Sequence, residues 1–348
     1  MIRVLVVDDS IFMRKILKDI LSLEEDIVVV GEAKNGKEAL EKIPILKPDV
    51  ITLDIEMPIM DGITTLEHII KANNIPVVII SSQTIKGANL TLQAFEKGAI
   101  DFIPKPKDIF KMNDETIKVE IIEKIKIAAK SKVNIDYNNI SIPRIAKKDF
   151  KGINTKKEKF DYIIAVGTST GGPNALQRVL PLLSENINGT IVVVQHMPPN
   201  FTKSLADRLN TLSNIKVKEG EEGDILQRGY CYIAPGDFHM KVVDKEDYII
   251  ELNKEAPIKG LRPAADILMD SVAKLDKLKK VGVIMTGMGS DGAKGIVEIK
   301  KSNGYTIAQD EKSSVVFGMP KSAIETNCID KIVPLNSIAH EIMSIVGV

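Results

Sequence analysis

A serine between two glycines follows an apolar segment in the second half of the chain, where residues 161–172 read DYIIAVGTSTGG. Residues 167–171, GTSTG, fit the G-x-S-x-G spacing of a hydrolase nucleophile elbow. The loop also fits a phosphate-binding site, because backbone N–H groups in front of a helix attract anions. The third interpretation is that Ser169 belongs to a tight turn and has no chemical role. The partner residues that each chemistry requires discriminate among the three.

A nucleophilic Ser169 needs a base beside it, because a free serine hydroxyl is a very weak nucleophile at neutral pH. The chain offers four histidines. We predict that His68 and His340 lie within helices and that His239 has a structural role in a β-rich segment. His196 ends the apolar segment TIVVVQH, whose strand we expect beside the strand that leads to Ser169. His196 is therefore the candidate base.

A base of this kind needs an acid that fixes its tautomer and stabilises the imidazolium. The predicted strand VGVIMTG leads into MGSDGA, which puts Asp291 at the same edge of the sheet. The alternative role for Asp291 is to cap the helix that follows it. The glycines of TGMGSDG would let backbone N–H groups point into the crevice, as an oxyanion hole requires. Three strand ends would then supply a nucleophile, a base and an acid.

The order of these residues along the chain is serine, histidine, aspartate, whereas α/β-hydrolases run serine, acid, histidine. The match to the elbow spacing is therefore coincidental and does not indicate the α/β-hydrolase family. The nucleophilic serine chemistry that the spacing indicates is still a valid interpretation. The phosphate-loop interpretation is weaker. The loop lacks the lysine of a Walker motif, and Pro173 removes one of the N–H donors that such a loop would use.

The first half of the chain places five polar residues at the ends of four of its five predicted strands. In order along the chain they are Asp8 with Asp9, Asp54, Ser81 and Lys105. The carboxyl ends of parallel strands face one crevice, where clustered carboxylates repel one another unless a hard cation such as Mg²⁺ lies between them. A carboxylate beside Mg²⁺ and a lysine can accept a phosphoryl group. The alternative, ordinary loop and capping acids, does not account for so regular a placement.

The elements that position these residues alternate between strand and helix, which predicts parallel, doubly wound sheets. In the first half the predicted strands are residues 3–7, 26–33, 49–54, 76–81 and 99–104, and a last helix is predicted at about 113–130. In the second half they are 161–167, 190–196, 281–287 and 305–309, with helices opened by Pro173 and after Pro199. Residues 231–253 form a predicted β-rich insert. The fold class is thus α/β, with two doubly wound domains.

Between the halves, residues 132–159 are polar and lysine-rich and have no sustained periodicity. We interpret them as a linker, whose basic excess makes either a solvated spacer or a docking surface. The predicted domains are residues 1–125 and 160–348, and residues 126–159 contain the end of the last helix of the first domain and the linker.

The composition excludes several classes of protein. A chain of 348 residues predicts two domains, and 47 basic residues balance 47 acidic ones, which gives no preference for nucleic acid. Two cysteines make neither a disulfide framework nor a four-ligand zinc site. The N-terminus reaches two aspartates after a short apolar run, unlike a signal peptide, and no stretch approaches the ~20 apolar residues of a membrane span. We therefore expect a cytoplasmic protein with no direct membrane insertion.

The segments VLVVDDS, ITLDIEMPIMDG, VIISS and DFIPKP resemble the receiver domain of two-component response regulators over residues 1 to about 125. The resemblance implies phosphorylation of Asp54. It implies that Mg²⁺ is held beside Asp54 by Asp9, assisted by Asp8, and by the backbone carbonyl of Glu56.

The same resemblance implies that Ser81 and Lys105 sense the phosphoryl group. Phe102 stands where many receiver domains carry a tyrosine, so this position has no phenolic hydroxyl for a switching step. The implied phosphodonor is a histidine kinase.

The segments AVGTSTGGP, VVQHMPPNFTKSLADRL, YIAPGDFHM, LRPAADIL and MTGMGSDGAKG resemble the chemotaxis protein-glutamate methylesterase family, CheB, which also places a receiver domain before its catalytic domain. The resemblance implies Ser169 as nucleophile, His196 as base and Asp291 as its partner. It implies that Thr170 lines the site and that the Met288 N–H serves the oxyanion hole.

The substrates implied are γ-glutamyl methyl esters on methyl-accepting chemotaxis receptors, and some members of the family also deamidate receptor glutamines. Hydrolysis needs no cofactor, and Mg²⁺ belongs to the receiver domain. One rival hypothesis is a response regulator that acts by binding and whose second domain is catalytically dead. A second rival is a deamidase that acts on glutamine through the same three residues.

Overall fold

The structure is a computed structural model that describes residues 1–72, 74–106, 114–131 and 159–347. The chain divides into two compact units, Met1–Asp136 and Tyr137–Val348. The predicted linker at 132–159 lies outside the described residues except for its last residue. No helix in the described part of the chain combines the length and the apolar character needed to cross a membrane.

The first unit is a five-stranded parallel sheet with the strand order β2-β1-β3-β4-β5. Its strands are β1 (Ile2–Val7), β2 (Ile27–Ala33), β3 (Val50–Asp54), β4 (Val77–Ser82) and β5 (Asp101–Lys105). Its helices are α1 (Ile11–Leu21), α2 (Gly36–Leu46), α3 (Gly62–Ala72), α4 (Ile85–Glu96) and α5 (Glu115–Lys130). The doubly wound sheet predicted from the alternation of elements is confirmed.

Local sequence explains where the helices of this unit begin. Ser10, Asn35 and Thr84 stand at the N-caps of α1, α2 and α4, and each side chain accepts a hydrogen bond from a backbone N–H in the first turn. The buried face of α1 repeats at helical spacing in Met13, Leu17 and other apolar residues. These capping hydrogen bonds fix the residue at which each of the three helices begins.

The second unit is built on a seven-stranded parallel sheet with the order β14-β13-β12-β6-β7-β9-β8 and a separate antiparallel hairpin, β10-β11. Its strands are β6 (Tyr162–Thr168), β7 (Gly189–Gln195), β8 (Lys216–Glu219), β9 (Tyr230–Ile233), β10 (His239–Asp244), β11 (Tyr248–Asn253), β12 (Lys279–Ile284), β13 (Tyr305–Gln309) and β14 (Lys331–Val333). Its helices are α6 (Gly172–Val179), α7 (Phe201–Leu212), α8 (Ala265–Ala273), α9 (Ala293–Lys301), α10 (Met319–Ile324) and α11 (Leu335–Val346).

Two predictions about the second sheet need correction, and two strands were missed. The strand predicted at 281–287 ends at Ile284. Beyond it the Thr286 N–H donates to the Gln309 side chain and the Gly287 N–H to the Val316 carbonyl, so this backbone forms a loop instead of a ladder. The predicted β-rich insert is not one body, because β9 pairs with β7 in the main sheet and only β10 and β11 form the hairpin. The short strands β8 and β14 were not predicted.

Candidate active site

Ser169 follows directly on the last residue of β6, at the carboxyl end of the central strands. Its N–H donates to the Thr286 carbonyl at 3.0 Å, and its own carbonyl accepts from the Gly172 N–H at 2.7 Å. Gly171 adopts φ +76°, a conformation that L side chains rarely take, and a Cβ there would lie 2.7 Å from Val315 Cβ. The glycine-bounded sequence thus forms a tight strand-to-helix turn that presents Ser169 in front of α6.

His196 follows the last residue of the neighbouring strand, β7, which pairs in parallel with β6 as predicted. Its backbone N–H donates to the Thr168 carbonyl at 3.2 Å, so the base candidate and the serine loop are anchored to each other. The His196 side chain is only 7% exposed. Its Nε2 lies 2.7 Å from Asp291 Oδ2.

Asp291 lies in the loop after β12, the strand on the other side of β6. Its carboxylate accepts hydrogen bonds from the Ala265 N–H at 2.6 Å and the Asp266 N–H at 3.0 Å, the first N–H groups of α8. A carboxylate is favoured there because a helix N-terminus carries partial positive charge. Asp291 therefore caps α8, not the helix that follows it in sequence, α9, whose N-cap is Gly292.

The Asp291 carboxylate is 3% exposed and still favours its ionised form. Burial alone would raise the pKa of Asp291, but the hydrogen bond from His196 and the backbone donors Asp266 and Ala265 outweigh burial and lower this pKa below its ordinary value. An ionised Asp291 fixes a proton on His196 Nε2, because a carboxylate only accepts hydrogen bonds. The other ring nitrogen then carries the lone pair.

That other nitrogen, His196 Nδ1, is buried and has no hydrogen-bond partner among the described residues. In the serine-protease template the acid contacts Nδ1 and the serine faces Nε2. Relative to that template the nitrogen that contacts the acid is exchanged: here it is Nε2, which leaves Nδ1 as the candidate base. Ser169 Oγ does not hydrogen-bond to Nδ1 in this structure, and catalytic hydrogen bonds are often long before substrate binds.

The loop between β12 and α9 supplies backbone donors beside Ser169. A Cβ on Gly287 would lie 2.9 Å from Ser169 Cβ, so this loop passes directly against the serine. No described residue accepts a hydrogen bond from the next backbone N–H, that of Met288. Thr170 is buried, and its carbonyl accepts from the Thr286 hydroxyl at 3.0 Å. The oxyanion role of Met288 and the lining role of Thr170 stay predictions.

Gln195, Thr286 and Asp266 belong to this site and were missed from the sequence. Gln195 contacts the Ser169 and His196 carbonyls, and Asp266 Oδ1 accepts from the Gly295 N–H at the start of α9. The signal for Gln195 was a single polar residue in the apolar run TIVVVQH. No comparable signal marks Asp266, because its partner lies 29 residues further along the chain.

The first unit forms a second polar site at the carboxyl ends of its strands. Asp8, Asp9 and Asp54 each offer a carboxylate oxygen, and these oxygens all lie within 4.8 Å of one another. Lys105 Nζ lies 3.0 Å from Asp8 Oδ2 and 2.8 Å from Asp54 Oδ2. Lys105 is the last residue of β5, whereas the predicted strand ended at residue 104. Three carboxylates at this spacing suit a hard, oxygen-preferring cation such as Mg²⁺.

The charges of this second site are coupled. Burial raises the pKa of Asp54 to about 6, with a further contribution from Asp8, and Lys105 opposes the rise. Burial opposes the charge on Lys105, but Asp54 and Asp8 outweigh it and raise the pKa of Lys105. A second cation would relieve the repulsion between the carboxylates that Lys105 alone does not neutralise.

The remaining predicted receiver residues occupy different surroundings. Ser81 is buried on β4, and its hydroxyl donates to the Gly87 carbonyl at 3.1 Å. Phe102 is buried against Phe95 in an edge-to-face contact with ring centroids 6.0 Å apart. The Glu56 side chain points to Lys86, at 2.5 Å, and is not part of the carboxylate cluster. Their roles in switching and in metal binding stay predictions.

Comparison with known proteins gives matches over both units. A family model described as CheB methylesterase matches residues 164–342, and one described as response regulator receiver domain matches residues 4–116. A protein of Pyrococcus horikoshii named protein-glutamate methylesterase/protein-glutamine glutaminase is 48% identical over 353 residues, covering 100% of this chain and 94% of that protein. The protein of the same name from Bacillus subtilis is 46% identical over 354 residues, covering 99% of each chain.

Among solved structures, the Thermotoga maritima CheB methylesterase catalytic domain matches with a TM-score of 0.52 and 42% sequence identity, covering 54% of this chain and 100% of that chain. The matches confirm the predicted fold class and the predicted class of enzyme. The chain belongs to the CheB methylesterase family of hydrolases and carries a response regulator receiver domain before its catalytic domain.

Proposed function

We propose that this protein hydrolyses γ-methyl esters of glutamate on methyl-accepting chemotaxis receptors, in the cytoplasm, and that phosphorylation of Asp54 activates it. The observation that carries the proposal is the pairing of His196 Nε2 with Asp291 Oδ2 at 2.7 Å, which leaves a buried, unpartnered Nδ1 at the strand end beside Ser169. The names of the relatives supply the substrate class.

In the proposed reaction Ser169 Oγ attacks the ester carbonyl carbon while His196 Nδ1 accepts the hydroxyl proton. The imidazolium that forms is stabilised by ionised Asp291. The tetrahedral intermediate collapses, the C–O bond to the methoxy group breaks, and His196 returns the proton so that methanol leaves. Water then attacks the acyl-enzyme, His196 accepts its proton and returns it to Ser169 Oγ, and the glutamate carboxylate is released.

The negative oxygen of the tetrahedral intermediate needs hydrogen-bond donors fixed in advance. The Met288 N–H suits this role, because it lacks a partner among the described residues and its loop contacts Ser169 through Gly287. Removing one donor of this kind typically costs a factor of about 10² to 10³ in kcat. Thr170, the residue after the nucleophile, lines the same turn.

We infer that Asp54 accepts a phosphoryl group from a chemotaxis histidine kinase. Asp8, Asp9 and Asp54 fit Mg²⁺ by their donor type and spacing, and the Glu56 carbonyl would complete the protein ligands. The metal, when bound, neutralises charge on the phosphoryl oxygens. Lys105 contacts Asp54 at 2.8 Å and would pair with the phosphoryl group, and buried Ser81 on the neighbouring strand would respond to it.

A test of the ester hydrolysis uses a synthetic peptide that carries one glutamate γ-methyl ester. We expect methanol release by the whole protein and none above background by Ser169→Ala. Methanol release that Ser169→Ala retains would contradict the nucleophile assignment. No release by the wild-type protein from peptide or from methylated receptor membranes would favour the rival hypothesis, a regulator whose second domain is catalytically dead.

A second candidate activity is deamidation of receptor glutamines, which the double name of the relatives favours. The same Ser169 attack would form the same acyl-enzyme, with ammonia leaving in place of methanol. Incubation of matched glutamine and glutamate methyl ester peptides separates the two activities, because ammonia and methanol are measured independently.

A further inference from the structure

Gln195 places a buried amide between the nucleophile loop and the candidate base. It is the last residue of β7 and is 2% exposed. Its Nε2 donates to the Ser169 carbonyl at 3.0 Å and to the His196 carbonyl at 3.2 Å. Two carbonyl acceptors at these distances fix which end of the amide faces them, because only the NH₂ group donates. One side chain therefore connects the backbones of both residues.

The Gln195 amide has close packing contacts as well as hydrogen bonds. A Cβ on Gly172 would lie 2.0 Å from Gln195 Oε1, so the amide occupies the volume that a side chain at the start of α6 would take. Oε1 is buried and has no hydrogen-bond partner among the described residues. Such an atom is costly to bury, and an apolar side chain of the same length would avoid that cost. The two bonds from Nε2 give the reason for a glutamine here.

We propose that Gln195 is a positioning residue that sets the distance between Ser169 Oγ and His196 Nδ1 by holding the two backbone carbonyls. The inference rests on the proposed function and extends it, because Gln195 acts on the reacting groups without being one of them. The contact of His196 with Asp291 orients the imidazole ring. The amide of Gln195 fixes the position of the His196 backbone relative to Ser169.

A residue that only positions the reacting groups affects kcat more than KM. A misplacement of about 1 Å between reacting groups costs up to about 10² in rate. Contacts that bind the substrate elsewhere are unchanged, and loss of an interaction used only in the transition state lowers kcat and leaves KM in place. Loss of the Gln195 donor should therefore lower kcat by about ten- to a hundredfold and change KM by less than about twofold.

The test compares Gln195→Met and Gln195→Glu with Gln177→Met in the whole protein. Gln195→Met removes the amide, and Gln195→Glu keeps its shape but, when ionised, has no donor. Gln177 is a matched control, because it is also buried, on α6, and its Nε2 has no partner among the described residues. Methanol release from the glutamate γ-methyl ester peptide gives kcat and KM. The thermal midpoint of each variant, followed by tyrosine fluorescence, gives its stability.

We expect both Gln195 variants to lose at least about tenfold in kcat with KM within about twofold of wild type, while Gln177→Met keeps wild-type kcat. A kcat within about twofold of wild type in a folded Gln195 variant would overturn the inference, and so would an equal loss in Gln177→Met. If Gln195→Met does not fold, Gln195→Leu, which lacks the donor in every protonation state, decides in its place. Absence of methanol release by the wild-type protein would overturn the proposed function and this inference together. Methanol release by the wild-type protein and, at the same kcat, by the Gln195 variants would overturn this inference only.

Discussion

His196 contacts Asp291 through Nε2, so the ring nitrogen left without a partner among the described residues is Nδ1. The residue types and their strand-end positions were predictable from the sequence, because parallel strands bring their carboxyl ends to one edge. The exchange of the two ring nitrogens was not, since it depends on the direction in which the imidazole is held. That direction is set by Asp291, which is fixed in turn by the first N–H groups of α8.

At the scale of single residues, we expect Ser169→Ala and His196→Ala each to lower kcat by a factor of about 10³ or more. The double variant should be little worse than Ser169→Ala, because groups that act as a unit have strongly non-additive effects. Methanol release and circular dichroism are measured on all three variants. A double variant whose loss equals the product of the two single losses would mean that the two residues act independently.

Asp291→Asn tests the charge of the buried acid through stability. A carboxylate with a lowered pKa stabilises the fold above the pKa of the unfolded state, about 3.8, and loses this contribution as the pH falls through the folded-state value. We expect Asn to destabilise the protein by about 1–3 kcal/mol at pH 7, the range for hydrogen bonds to a buried charged group, and by less at pH 3.

The measurement is urea unfolding at pH 7 and pH 3, followed by tyrosine fluorescence. All six tyrosines lie at or after residue 137 and the chain has no tryptophan, so this signal reports on the unit that contains Asp291. Asp207→Asn, an exposed carboxylate on α7, makes the same change of charge as a control. A destabilisation by Asp291→Asn that is equally large at both pH values would contradict an ionised Asp291.

At the scale of elements, the strands that carry chemistry were predicted well because they are long, apolar and buried. β6 and β7 lie within one residue of their predicted positions at either end. β8 and β14 escaped prediction because they are only four and three residues long. The loop after β12 was predicted to be part of the strand because Met285 and Thr286 are residue types that also occur in strands. The buried hydrogen bonds of Thr286 to the Gln309 side chain and to the Thr170 carbonyl are tertiary and leave no local pattern.

Gly172→Ala tests the turn between β6 and α6. The added Cβ would lie 2.0 Å from Gln195 Oε1 and 2.5 Å from Thr168 Oγ1, so the Gln195 amide must move. We expect a loss of about 1–3 kcal/mol in stability, the usual cost of overpacking, together with a fall in kcat. Tyrosine-detected urea unfolding and methanol release measure the two effects.

Gly223→Ala is the control for this substitution. Gly223 has φ +79° and nothing within 4 Å of an added Cβ, so alanine there meets only backbone strain of about 1 kcal/mol. We expect its kcat to equal that of wild type. A Gly172→Ala protein with wild-type stability and kcat would show that the turn tolerates a displaced Gln195 amide.

At the scale of the whole molecule, two sites with different chemistry share one chain. The first unit collects Asp8, Asp9, Asp54 and Lys105 at the carboxyl edge of its sheet, and the second collects Ser169, His196 and Asp291 at the same edge of another. Both arrangements were predictable, since each follows from parallel topology. The segment between the units, predicted as a linker, lies outside the described residues except for residue 159.

The most direct measurement is methanol release from methylated receptor membranes, with Mg²⁺, in the presence and absence of a small-molecule phosphodonor. The proteins compared are wild type, Asp54→Asn and Ser169→Ala. We predict that the phosphodonor accelerates release by wild type, that Asp54→Asn keeps the basal rate without acceleration, and that Ser169→Ala releases no methanol in either condition. Equal acceleration of Asp54→Asn, or methanol release by Ser169→Ala, would contradict control at Asp54 or catalysis at Ser169 respectively.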